Sequence, residues 1–189
     1  MKRIYRPALI AALFVTSWLA LQAVHELGHV LAAWATGGTV RQVVLHPLAI
    51  SRTDVSPNPA PLVVAWAGPF VGIALPLALA TFARLIGLPL RRYADFFVGF
   101  CLIANGAYIG LGVFDRIGDA GDMLRHGSPP WLLFTFGAVA ASAGLWIWHH
   151  ASGEFGFGKN PRSIAAREAC WALATAALVT AVAATLGHR

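Results

Sequence analysis

The chain has 189 residues, 58% hydrophobic and only 12% charged, and its 14 Lys and Arg against 8 Asp and Glu leave a net charge of +6. That composition predicts an all-α polytopic membrane protein folded as one domain, residues 1–189, with no room for a separate soluble domain. Nearly all the charges fall in short connections and at the termini, so the basic balance reflects membrane topology and not nucleic-acid binding.

Five apolar runs follow in chain order: Pro7–Val24, continuing through a short motif to about Trp34, then Ala60–Ala83, Phe96–Phe114, Trp131–Trp148 and Ala169–Gly187. Each is long enough to cross a hydrocarbon core of about 30 Å, which predicts five transmembrane helices. Residues 1–6 are basic and precede an apolar run, but Leu21-Gln22-Ala23 lacks a small-x-small cleavage site, so the first span is expected to be retained.

Inside the first span lies His25-Glu26-Leu27-Gly28-His29. A carboxylate at mid-membrane depth costs roughly 2.5–3.5 kcal/mol, so Glu26 needs a compensating partner, and a bound cation would supply one. On a helix, His29 lies about 40° round the axis from His25, and Glu26 about 100° from His25 and 60° from His29. All three therefore share one face. Two neutral imidazoles one turn apart suit two vertices of a Zn2+ tetrahedron, with Glu26 placed to deprotonate a water at the metal without ligating it.

The connection from Gly37 to Pro59 holds the β-branched Thr39–Leu45, then Ser51-Arg52-Thr53-Asp54 and a Pro57-Asn58-Pro59 stop. It reads as a hairpin or irregular segment at the membrane surface, either an ordinary loop or an extended edge able to pair with an unwound substrate. In the second span, Gly68-Pro69-Phe70-Val71-Gly72 is a G-x-x-x-G around a proline, expected to let another helix approach closely. The loop 84–95 is short and basic. In the third span Asn105 precedes a second G-x-x-x-G, Gly106 to Gly110; the amide serves either as interhelical glue or to hold substrate backbone.

A catalytic zinc needs a third protein ligand. His29 sits in the C-terminal half of its helix, so that ligand should come from the connections on the same side. This admits Asp54, Asp115, Asp119, Asp122, His46 and His126, and excludes Asp95, Glu154 and Glu168. Asp119 begins what reads as a short helix, where it would either ligate or cap the backbone.

Taken together, His25-Glu26-Leu27-Gly28-His29, Ala67-Gly68-Pro69, Asn105 and Asp119-Ala120-Gly121 resemble the site-2 protease family of intramembrane zinc metalloproteases. The similarity spans about residues 10–126 and implies a three-helix catalytic core, about 7–126, with further transmembrane helices near 131–148 and 169–187. It implies His25, His29 and Asp119 as Zn2+ ligands, Glu26 as catalytic base and Asn105 as a substrate-binding residue. The substrate would be a membrane protein cut in or near a transmembrane segment. Two places depart from the family pattern: Gly72 stands where an Asn often follows the Gly-Pro, and Asn105 is not followed by the usual proline.

The expected function is thus a zinc-dependent membrane endopeptidase. A non-proteolytic zinc-binding scaffold or regulator of the same fold is the competing class, against which the intact Glu26 argues, since metal binding alone does not need it. An ion transporter would be expected to carry more ionisable positions along a path. His149-His150 after Trp146 reads as an interfacial belt, 153–160 as a flexible loop, and Cys101 and Cys170 as small buried hydrophobes. With the N-terminus cytoplasmic, Lys2, Arg3, Arg6, Arg84, Arg91, Arg92, Lys159, Arg162 and Arg167 lie inside and Arg41, Arg52, Arg116, Arg125 and Arg189 outside, the orientation the positive-inside rule favours. A bacterial cytoplasmic membrane is the expected location.

Overall fold

The computed structural model describes residues 5–48, 50–158 and 161–186. Lys2, Arg3, Lys159, Asn160, Gly187 and Arg189, which enter the charge asymmetry and the loop and span limits above, lie outside the described residues. In chain order the elements are α1 (Tyr5–Ala35), β1 (Val40–Val44), β2 (Arg52–Val55), α2 (Pro61–Leu85), α3 (Arg91–Asp115), α4 (Gly118–Arg125), α5 (Pro130–Ala151) with a 3-10 turn (Ser152–Phe155), and α6 (Ala166–Leu186). Among the described residues five helices, all but α4, are long and apolar enough to cross a membrane. The fold is the all-α polytopic architecture that the apolar runs predict.

Helix limits differ from the apolar runs where charge occupies a helical turn. α3 starts five residues before Phe96, because Arg91, Arg92 and Asp95 form its polar first turns. Among these helices α3 is the most enclosed, and its glycines explain how. Gly106 and Gly110 face Gly137 of α5, so closely that a Cβ on Gly110 would stand 3.1 Å from Gly137 Cα. Lipid tails are as apolar as leucine, so such backbone approach, not solvent exclusion, holds membrane helices together.

The connection after α1 is a true hairpin. β1 and β2 pair antiparallel, with Val43 opposite Thr53 and Val44 opposite Arg52, and an irregularity between Val40 and Gln42. After α3 the chain turns at Arg116, whose φ of 55° is left-handed, and enters α4. Fully buried Ala120 and Met123 anchor α4 in a cluster with Ala65, Ile109, Val113 and Leu133. An eight-residue helix would not persist alone, and this packing against α2, α3 and α5 is what holds it in place.

Candidate metal centre

His25, Glu26 and His29 are all buried on α1, in the face turned to α2 and α3. Each imidazole is oriented through its Nδ1. Asn105 Nδ2 donates to the Cys101 carbonyl at 2.9 Å, so its Oδ1 faces His25 and accepts from His25 Nδ1–H at 3.0 Å. His29 Nδ1–H donates to the Val64 carbonyl of α2 at 2.7 Å. These bonds select the tautomer whose Nε2 carries a free lone pair, the usual outer arrangement of a metal-binding histidine.

Both Nε2 atoms point to the same carboxylate. Asp119 Oδ2 is 2.8 Å from His25 Nε2 and 3.4 Å from His29 Nε2. Asp119 is not a helix cap. Residue 117 occupies the cap position without a side-chain bond, and the Asp119 backbone N–H donates to Tyr108 Oη at 3.1 Å.

The glycines of the second span make this convergence possible. A Cβ on Gly68 would lie 2.7 Å from His25 Nε2 and nearer still to His29 Nε2, so any side chain there would enter the space between the imidazoles. Gly28 makes the matching approach from α1, onto the backbone of Ala67 and Gly68. Gly72 faces the Asn105 amide, 2.8 Å from where a Cβ would put it. The two glycines of the α2 G-x-x-x-G thus make room for side chains, the histidine pair and its anchor, while the close backbone approach of α1 to α2 is made at Gly28.

Glu26 is 2% exposed, and its Oε2 accepts a hydrogen bond from Thr53 Oγ1 of β2 at 2.6 Å. Residues 51–55 and Gln22, His25, Glu26, His29 and Tyr108 line one cleft of about 750 Å3. The remaining ligand candidates are arranged differently. Asp122 and His126 reach the cleft, but Asp122 pairs with Arg125 and the His126 ring with the Asp122 carbonyl. Asp54 pairs with Arg52. Asp95, Glu154 and Glu168 sit at the other end of the bundle, among arginines, as the sidedness argument requires.

Asn105, expected to bind substrate, is 2% exposed with both ends of its amide engaged inside the protein; its observed contacts are to His25 and Cys101. Thr53, Tyr108 and the Val64 carbonyl went unnoticed in the sequence. Hydroxyls and main-chain carbonyls carry no spacing signature, and only Tyr108, one turn after Asn105, had a positional hint.

Two imidazole nitrogens and a carboxylate oxygen are the donor types of a three-ligand catalytic zinc site. Bonds of about 2.0–2.1 Å in a tetrahedron put neighbouring donor atoms about 3.3 Å apart. The 2.8 and 3.4 Å separations at Asp119 Oδ2 bracket that value. Donor atoms of His25, Glu26 and His29 also lie within 4.8 Å of one another, which would allow Glu26 as an alternative third ligand. Asp119 is the better fit, because it meets both Nε2 atoms while Glu26 Oε2 is held by Thr53. No protein-family model, no curated protein and no solved structure matches this chain.

Proposed function

We propose that this protein is a zinc-dependent intramembrane endopeptidase of the site-2 protease type, acting on peptide bonds in or near transmembrane segments of other membrane proteins. The observation that carries the reading is the convergence of His25 Nε2, His29 Nε2 and Asp119 Oδ2 beside a buried Glu26, in a cleft set among helices able to span a membrane. His25, His29 and Asp119 would hold Zn2+, which when bound supplies the Lewis acidity that activates a water and polarises a carbonyl.

The chain's own residues would do the rest. Glu26, its Oε2 engaged by Thr53, keeps Oε1 to accept a proton from the attacking water and return it to the leaving amide nitrogen. Asn105 and the Val64 carbonyl hold the imidazoles. β2 pairs with β1 along one edge only, and residues 51–55 line the cleft, so an unwound substrate segment could extend the sheet next to Glu26. The N-terminus is assigned to the cytoplasm on the charge asymmetry, in a bacterial cytoplasmic membrane.

The decisive experiment is co-expression with candidate single-span proteins, comparing wild type with Glu26→Gln. Cleavage by the wild type alone supports the protease. Equal turnover of a verified substrate by both ends the assignment, and zinc binding without any cleavage across a broad substrate panel favours the scaffold reading.

A further inference from the structure

A second cavity, of about 650 Å3, opens at the end of the bundle away from the histidines. Its walls come from the last turn of α2 (Arg84), the first turns of α3 (Arg91, Arg92, Asp95), the end of α5 (Trp146, His150) with Glu154 beyond it, and Arg162. Four arginines thus face two carboxylates. Ion pairs connect them: Asp95 receives Arg84 and Arg91, Arg162 reaches Glu154 at 3.7 Å, and Glu168 joins Arg92 at 3.1 Å to Arg162 at 3.0 Å.

The wall itself carries more guanidinium groups than carboxylates. Arg92 is largely buried, and its Nη1 has no hydrogen-bond partner among the described residues. Glu168 Oε2, in the same ion pair, is likewise unpartnered among the described residues, so these two atoms complement each other; Glu168 does not line the cavity. The excess of guanidinium groups over carboxylates on the wall favours an anionic occupant, and the planar fork of arginine fits phosphate oxygens.

The location identifies the source of the phosphate. Trp146 is 64% exposed beside the cavity, as aromatic rings are at headgroup depth, and the α2 surface leading to Arg84 presents exposed Leu79, Phe82 and Leu85 to acyl chains. We propose that this cavity binds the phosphodiester headgroup of an anionic phospholipid, with Arg84 and Arg91 at its rim and Arg92 inside. The site is independent of the metal centre and of the proposed proteolysis.

Native mass spectrometry of the purified protein in detergent, titrated separately with phosphatidylglycerol, phosphatidylcholine and inorganic phosphate, tests it. One phosphatidylglycerol should be retained in preference to phosphatidylcholine. Affinity should fall about fivefold in Arg91→Gln, and about twentyfold in Arg84→Gln/Arg91→Gln. Arg91 is 80% exposed, so its single variant is expected to fold even if the double one does not. Equal retention of the two lipids, or phosphatidylglycerol binding unchanged in Arg91→Gln, overturns the proposal. Phosphate binding that is sensitive to the variants, without preference between the lipids, assigns the cavity to a soluble anion and overturns the lipid assignment.

Discussion

His25 and Asn105 are joined by a hydrogen bond whose direction is set elsewhere: because Asn105 Nδ2 is committed to the Cys101 carbonyl, its Oδ1 must accept from His25 Nδ1. An amide eighty positions from the histidine therefore decides which imidazole nitrogen is free. It also occupies the space beside Gly72. Here the amide comes from the neighbouring helix and the glycine makes room for it.

If Asn105 acts on His25, Asn105→Ala should lower zinc affinity about 10- to 100-fold, as loss of an outer hydrogen-bond partner does at other metal sites. Competition with a fluorescent chelator measures it. A variant with unchanged zinc affinity and a raised KM would return Asn105 to substrate binding.

Glu26→Gln removes the proton acceptor and leaves both imidazoles in place. Zinc content should be retained while cleavage of a verified substrate falls by at least about 100-fold. Metal analysis and a cleavage assay on the same preparation separate the two effects.

Asp119→Asn should deplete zinc far more than Asp122→Asn or Asp115→Asn, since a neutral amide replaces the carboxylate that meets both Nε2 atoms. Elemental analysis of the three purified variants checks this. The largest loss at Asp122 would move the ligand by three residues.

Gly68→Ala places a methyl group between the imidazoles. It should abolish zinc binding and destabilise the α1–α2 contact by about 1–3 kcal/mol. Gly153→Ala, where a Cβ meets nothing within 4 Å, is the control. Normal zinc content in Gly68→Ala would show that the helices separate there at little cost.

Topology is open to labelling. Cys101 is buried and Cys170 exposed, so only Cys170 needs replacement. Ser128 is a poor label site because it is buried and accepts from Trp66 Nε1 at 2.9 Å; Leu48, 90% exposed in the hairpin connection, is better. With a cytoplasmic N-terminus, Leu48→Cys should react with an impermeant reagent in intact cells, and Leu88→Cys at the other end only after lysis. The reverse pattern inverts the orientation.

Sequence alone determined the number of spans, because uninterrupted apolarity over about twenty residues is a one-dimensional property. It also determined that His25, Glu26 and His29 share a face, since helical periodicity places residues so close together without help from the rest of the fold. The hairpin was readable as an alternative, from β-branched residues bounded by prolines. It could not show that Thr53 would meet Glu26, 27 positions away in sequence. Bringing Asp119, of six sidedness-compatible groups, onto both Nε2 atoms, turning Asn105 inward and gathering four arginines around a second cavity were decided by tertiary structure. Each depends on how helices cross, and the crossings are set by glycine-to-backbone approaches at Gly28, Gly106 and Gly110. Such approaches link residues far apart in sequence and leave no periodic trace that names their partners.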